Sequence, residues 1–124
     1  DNTDVIPNTM INVRINLNDA HYIELRNDGG FVYLQDVGHR GILVYRVNAS
    51  TFSAFDRAST YAPNNPCSII TMNPSRLFME DTCSKSTFDM QGNVIGGPAP
   101  APLRRYYTEV LNGYELRILN ANYY

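Results

Sequence analysis

Hydrophobic and polar residues alternate along much of the chain with the two-residue period of a half-buried β-strand. The clearest case is the segment 11–17, in which every second side chain is apolar. Further segments of strand character, bounded by Gly, Pro, Asn or Ser, are 31–34, 42–45, 51–55, 68–72, 76–80, 87–90, 103–111 and 114–119. Many short strands separated by turn signals predict an all-β domain of stacked antiparallel sheets, a sandwich or a barrel.

Turn residues predict how the strands are connected. Asn112-Gly113 is typical of a two-residue hairpin between the last two strands. Asn73-Pro74-Ser75 predicts a hairpin between 68–72 and 76–80. The helix candidate is Asp19–Leu25, where Asp19 can cap a turn or two. The segment 96–102 (GGPAPAP) lies too close to the last hairpin to link two domains, so we predict one domain over 1–124 with an ordered surface loop.

Composition narrows the class of protein. A chain of 124 residues is the size of one domain. Hydrophobic residues make up 44% and charged residues 18%, which excludes a disordered chain. The formal net charge of −2 argues against a nucleic-acid partner, which would favour a basic excess. No apolar run approaches the length of a transmembrane helix, so we predict no transmembrane segment.

The beginning of the chain and its cysteines suggest a compartment. The sequence opens at Asp1 without an initiator Met, and we expect a mature or trimmed product. Cys67 and Cys83 are too few for a disulfide scaffold or a four-thiolate metal site. We expect them to form a single disulfide in an oxidising compartment.

Motifs in the second half of the chain occur in a distinctive order. Residues 54–57 (AFDR) precede a loop with a cysteine, a hairpin and a second cysteine loop. Phe88-Asp89 and then residues 92–103 (GNVIGGPAPAPL) follow, and residues 103–106 (LRRY) open the next strand. Over 52–106 this order resembles a Rieske domain. In that family, two loops offer Cys-x-His and Cys-x-x-His to a two-iron two-sulfur cluster, and a Gly-Pro-Ala loop covers it.

The resemblance places the four cluster ligands on residues that are poor iron ligands. They fall on Ser59, Tyr61, Asp81 and Ser84, none of which is a thiol or an imidazole. A cluster needs soft or intermediate donors, which hydroxyls and one carboxylate do not provide. In a second register Cys83 opens the second motif and Ser86 takes its histidine position, which still yields at most one ligand. The resemblance therefore implies a Rieske-like domain that has lost its cluster, and we expect no cofactor and no resident metal.

The resemblance also implies a position for the disulfide. Rieske proteins of respiratory complexes carry an extra Cys in each cluster loop, and the two are linked. Cys83 stands where one of these occurs. Cys67 lies about three residues beyond the family spacing, and Asn64-Asn65-Pro66 can account for the excess.

Other candidate sites have weaker signals. The four ligand-equivalent side chains can line a small polar pocket, with Tyr61 and Asp81 as a hydrogen-bonded pair. A simpler interpretation is that they satisfy backbone groups of their loops. His21 and His39 lie in no motif and are expected in ordinary surface or edge roles. A mononuclear metal site has no recognised spacing, and its candidate ligands are Asp56, Asp81 and Asp89.

We therefore predict a non-enzymatic Rieske-like module of the cell envelope, periplasmic or at the cell surface, with a binding or structural role. The chain start resembles the mature end of small bacterial lipoproteins, which implies a lipidated Cys upstream of residue 1. The alternative is the ordinary family function, a two-iron two-sulfur electron-transfer protein or oxygenase ferredoxin component, with ligands supplied by a second chain. The expected binding surface is the tip formed by the loops, with a protein or glycan as partner, and it comprises Ser59, Tyr61, Pro63, Pro66, Ser84, Gly97, Pro98, Pro100 and Pro102.

Overall fold

A computed structural model describes residues 10–120 of the 124-residue chain. Within this range the backbone forms ten strands and one 3-10 helix, Ala20–Arg26. The strands are β1 (Asn12–Asn16), β2 (Phe31–Leu34), β3 (Ile42–Asn48), β4 (Thr51–Asp56), β5 (Thr71–Met72), β6 (Met79–Asp81), β7 (Ser86–Phe88), β8 (Val94–Gly96), β9 (Arg105–Leu111) and β10 (Glu115–Leu119). The prediction of an all-β fold is confirmed.

The strands form two curled antiparallel sheets. The larger sheet has the order β1-β10-β9-β4-β3-β2, and the smaller has the order β5-β6-β7-β8. The larger sheet joins the first half of the chain to the last hairpin through β4 and β9, where Ala54 pairs with Tyr106 and Phe55 with Arg105. The chain between β4 and β9 contains the whole smaller sheet and its connecting loops. The pairing of β4 with β9 therefore positions the candidate site.

Both faces of the central strands are buried. Ile42 and Val44 of β3 belong to one core, which is enclosed by the larger sheet and includes Leu25 of the 3-10 helix. Leu43 points to the opposite face, because side chains alternate along a strand. There it joins a second core with Phe55 of β4, Phe88 of β7 and other residues of the smaller sheet. The second core lies between the two sheets and holds them together.

The predicted helix forms as a 3-10 helix. Asp19 caps it as expected, and its Oδ1 accepts the backbone N–H of His21 over 2.9 Å. The helix has one buried residue, Leu25, and Tyr22 has non-helical backbone angles, so the segment lacks the continuous apolar face of an α-helix. Among the described residues no helix is long and apolar enough to cross a membrane.

The predicted hairpin of 68–72 and 76–80 is only partly correct. Its strands are shortened to Thr71–Met72 and Met79–Asp81. Ile69 and Ile70, which suggested a longer strand, instead fold back on the end of β4, where Ile70 donates its N–H to the carbonyl of Arg57. A six-residue turn over 73–78 separates the strands, with Arg76 at a φ of 62°.

Other boundaries also differ. The last hairpin has a three-residue loop, 112–114, rather than the two-residue turn predicted from Asn112-Gly113, because Leu111 pairs with Glu115. β8 (Val94–Gly96) was not predicted as a strand, since it runs into the glycine and proline residues of the following loop. The segments predicted as 87–90 and 103–111 form strands at Ser86–Phe88 and Arg105–Leu111.

Candidate functional site

Three loops meet at one end of the fold. The first loop (57–70) connects β4 to β5, the second loop (82–85) connects β6 to β7, and the proline loop (97–104) connects β8 to β9. The resemblance to Rieske domains places the cluster ligands in and beside the first two loops. It assigns the third loop to the Gly-Pro-Ala segment that covers the cluster. Contacts among these loops therefore decide what the site can do.

A disulfide joins the first two loops. Cys67 and Cys83 are bonded, with their Cα atoms 5.6 Å apart. The predicted pairing is confirmed. Both cysteines are exposed residues, and neither thiol is free to ligate a metal while the disulfide is intact.

The centre of the loop cluster is a buried carboxylate. Asp81 ends β6 and is fully buried. Its Oδ1 accepts the backbone N–H groups of Cys83, over 3.0 Å, and of Ser84, over 3.3 Å. Its Oδ2 accepts the hydroxyl of Ser84 over 2.7 Å. From the first loop, the hydroxyls of buried Ser59 and Ser68 also interact with this carboxylate.

These donors keep Asp81 ionised. Burial by itself would raise the pKa of the Asp81 carboxyl, because it disfavours the charged form. Hydrogen bonding by the hydroxyls of Ser59, Ser84 and Ser68, together with the Ser84 amide, outweighs burial and lowers the pKa below its ordinary value. The centre of the loop cluster is therefore a satisfied carboxylate anion at neutral pH.

The proline loop is attached to the same network. The Oγ atom of Ser86 lies 2.8 Å from that of Ser84 and accepts the backbone N–H of Ala99 over 3.1 Å. In the first loop, buried Thr60 donates its hydroxyl to the carbonyl of Ala101. One polar network thus connects all three loops. No sequence motif marks Ser68 or Thr60 as members, since Ser68 falls in a segment predicted as a strand.

The structure brings together three of the four ligand-equivalent positions. Ser59, Asp81 and Ser84 meet, whereas the Tyr61 side chain is not among the groups that contact Asp81. Tyr61 is 51% exposed, and its backbone N–H donates to the Oγ atom of Ser59 over 3.2 Å. The predicted Tyr61–Asp81 pair is therefore wrong. The simpler interpretation, that these polar side chains satisfy backbone groups of the loops, is supported at Ser59, Asp81 and Ser84.

This arrangement does not fit an iron–sulfur cluster. The side chains that meet are hydroxyls and one carboxylate, which are hard donors, whereas cluster irons take thiolate or imidazole. The two cysteines are bonded to each other. In the second register, the histidine position is Ser86, which is buried and already accepts the Ala99 amide. Neither register gives a ligand set for the cluster.

The histidines lie elsewhere. His21 is exposed and its Nδ1 is 2.8 Å from Oδ1 of Asp19, and the Nε2 of His39 is 2.9 Å from Oδ1 of Asn64. Both have surface roles, as expected. In residues 10–120 no group of three or more His, Cys, Asp or Glu side chains is placed to hold a metal ion. The proposed mononuclear site is therefore not brought together from Asp56, Asp81 and Asp89.

Asp56 is a second buried carboxylate, at the end of β4. It accepts the backbone N–H groups of His39, Arg40 and Ala58 over 2.6, 3.0 and 2.9 Å, and the hydroxyl of Tyr106 over 2.7 Å. Burial and the neighbouring Asp56 raise the pKa of Tyr106, so this phenol stays protonated. Asp56 therefore fixes where the first loop begins, relative to the β2–β3 turn and β9.

Most of the predicted tip is exposed, but two of its predicted members are not: Ser59 is buried and Ser84 is half-buried in the Asp81 network. Tyr61 and Pro66 are exposed in the first loop, and Pro63 is half-buried. In the proline loop the exposed members are Gly97, Pro98, Pro100 and Pro102. The loops therefore present a semi-apolar surface around a closed polar centre.

The two curled sheets, the inserted hairpin loops and the covering proline loop define a Rieske-like fold. The chain is similar in structure to a solved protein from Mycobacterium tuberculosis described as a "putative NADH-dependent nitrite reductase small subunit". The two chains share 11% sequence identity and superpose with a TM-score of 0.54 over 93% of this chain and 99% of the other. No protein-family model and no curated protein sequence matches the chain.

Proposed function

We propose that this chain is a Rieske-like module without an iron–sulfur cluster, which acts as a non-enzymatic binding or structural domain. The observation that carries the proposal is the Asp81 network. A buried carboxylate and serine hydroxyls stand at ligand-equivalent positions and bind one another. The two loops are held together by the Asp81 hydrogen bonds and by the Cys67–Cys83 disulfide, without a metal group.

The iron and sulfide content of the isolated protein tests this proposal. Protein expressed in iron-replete medium and purified without oxygen is expected to be colourless, with sub-stoichiometric iron and acid-labile sulfide. One cluster per chain, seen by visible absorption and by paramagnetic resonance after reduction, would overturn the proposal and require a different ligand set.

A cell-envelope location belongs to the same proposal. Its support is the Cys67–Cys83 disulfide, since disulfides persist in oxidising compartments and are rare where glutathione keeps thiols reduced. The partner would be a protein or a glycan that contacts the exposed tip. A stiff surface of one tyrosine and several prolines loses little conformational entropy on binding.

The tip hypothesis has its own experiment. We expect a variant with Tyr61→Ala and Pro100→Ser to lose partners that the wild-type protein captures from envelope extract. Equal capture by the two proteins would show that the tip is not the binding surface.

A second candidate function is supported by the solved neighbour, which is described as the small subunit of an oxidoreductase. On this alternative, the chain is a Rieske-like component of an electron-transfer system and takes cluster ligands from a second chain. The iron measurement separates the two candidates if it is repeated on the native complex. Iron and sulfide in the complex but not in the isolated chain would favour the second.

A further inference from the structure

A groove lies at the ends of the first loop, beside the turn that follows β2. It is lined by the turn between β2 and β3, residues 34–41, together with Arg57 and Ile69. Its volume is about 380 Å³, within the range of small-molecule binding sites. Neither the Rieske resemblance nor the proposed function assigns a role to it.

The Arg57 side chain is held in a fixed position at this groove. Its Nε donates to the carbonyl of Ile70 over 2.8 Å, and its guanidinium carbon lies 3.8 Å from the centre of the Tyr33 ring. Tyr33 is itself fixed, since its hydroxyl oxygen accepts the backbone N–H of Met72 over 3.0 Å. No described residue accepts a hydrogen bond from the two terminal nitrogens of Arg57. These nitrogens form the planar fork that pairs with carboxylate or phosphate.

A second guanidinium adds positive charge to the groove. Arg40 is committed to the first loop, where it donates to the carbonyls of Pro63, Asn65 and Pro66. Burial is the main influence and lowers the pKa of Arg57; the neighbouring Tyr33 opposes this shift, and the positive charge of Arg40 adds to it. Arg57 remains protonated, because an arginine starts so far above neutral pH. Among residues 10–120, no carboxylate lies within ion-pairing distance of either guanidinium.

The nearby acidic groups do not neutralise Arg57. Asp56 lies beneath the turn, but its oxygens already accept three backbone amides and the Tyr106 hydroxyl. Asp36 is exposed at the rim. A half-buried cation without a counter-ion is unfavourable, and a bound anion relieves that cost. The apolar part of the lining consists of Leu34, Val37 and Ile69.

We propose that this groove binds a small organic anion, with one carboxylate or phosphate group on the Arg57 fork and a short apolar body against Leu34, Val37 and Ile69. The site is independent of whether the chain holds a cluster. Carboxylate and phosphate share the same bidentate chemistry at a guanidinium.

Benzoate and phenyl phosphate are suitable probes, because they share the apolar body and differ in the charged group. Each is titrated into ¹⁵N-labelled protein at constant ionic strength, with sodium chloride as the reference salt. We expect saturable shifts in the amides of residues 34–41 and in the Nε–H signal of Arg57 with at least one probe. Which probe binds more tightly identifies the preferred headgroup.

Three variants test the role of Arg57. Arg57→Gln is expected to weaken binding at least about tenfold, because the bidentate charged partner is lost. Arg57→Lys keeps the charge but not the fork, and should also bind more weakly while its spectrum stays native. Arg117→Gln on β10 removes the same charge from a residue paired with Glu109, and should bind as the wild type does. The proposal is overturned if neither probe gives saturable shifts, if chloride alone reproduces them, or if Arg57→Lys binds as tightly as the wild type.

Discussion

The Ser84 hydroxyl donates to Oδ2 of Asp81 over 2.7 Å, and these are two of the four positions to which the resemblance to Rieske domains assigns cluster ligands. Two side chains that would have to face a metal instead bind each other. The Asp81 oxygens are further occupied by the amides of Cys83 and Ser84. The loops are thus closed by interactions within the chain, and the stability of this end of the fold depends on one buried carboxylate.

Replacing Asp81 should therefore destabilise the protein. Asp81→Ala leaves the Cys83 amide and the Ser84 hydroxyl without their acceptor, and we expect a loss of about 1–3 kcal/mol in the free energy of unfolding. Urea denaturation measures the change. Asp28→Ala is the matched control, since Asp28 makes an exposed ion pair with Arg46 and should cost less than about 0.5 kcal/mol. Equal, small effects of both variants would contradict the central role of Asp81.

The same carboxylate should make stability depend on pH in acid. The folded-state pKa of Asp81 is lowered below its unfolded value, so the ionised form favours folding. Its contribution is present above the unfolded pKa and is lost as the pH falls through the folded pKa. We expect Asp81→Asn to be less stable than the wild type at pH 7 and to show a smaller loss of stability on acidification below about pH 4. Parallel pH profiles for the two proteins would contradict this assignment.

The fold could be predicted from the sequence where alternation and burial agree. β1 and β10 have apolar residues at every second position and were predicted within one or two residues. The prediction of a strand from Ser68 to Ile70 was wrong. The burial of its isoleucines arises because the loop packs on the end of β4, not because they belong to a sheet. The hydrophobic pattern of a segment indicates that its side chains are buried, but it does not identify the part of the chain against which they pack.

The candidate site was predictable only in outline. The resemblance located Ser59, Asp81 and Ser84, and the cysteine pair was predicted correctly. The contacts of Ser68 with Asp81 and of Thr60 with Ala101 join residues far apart in the chain, and no local spacing encodes them. The sequence likewise does not show that Arg57 is held in place by the Tyr33 ring and the Ile70 carbonyl, because only the fold brings these groups beside it.

Removing the disulfide should lower stability without abolishing the fold. The bond closes a loop with a sequence separation of 16, for which the chain-entropy model gives about 3 kcal/mol. We expect wild-type protein treated with reductant and the Cys67→Ser/Cys83→Ser variant to unfold at the same urea concentration, below that of the untreated protein. Both should still fold, because the Asp81 network still joins the loops. Peptide mapping without reductant should recover the linked peptides. Two freely alkylated thiols in untreated protein would contradict the pairing.

The proline loop should tolerate no side chain at its glycine, Gly97. Gly97 has a φ of +82°, and a Cβ atom there would lie 2.4 Å from the carbonyl oxygen of Lys85 and 2.5 Å from the Cα of Ser86. Gly113 is a matched control, with a φ of +77° and nothing within 4 Å of an added Cβ. Gly113→Ala should cost about 1–2 kcal/mol from backbone strain alone. Gly97→Ala should cost clearly more in thermal or urea unfolding, and an equal cost would contradict the close approach of the two loops.

Anaerobic reconstitution with ferrous iron, sulfide and reductant tests the absence of a cluster most directly. Its positive control is a variant with a Rieske ligand set, Ser59→Cys/Tyr61→His/Asp81→Cys/Ser84→His, treated in parallel. After desalting, iron and acid-labile sulfide are counted per chain, and the reduced samples are studied by paramagnetic resonance. We predict that the wild-type chain retains neither stoichiometric iron nor a cluster signal, because its ligand positions carry oxygen donors that already bind one another. A wild-type chain that retains two irons and two sulfides with a Rieske-type signal would contradict the account.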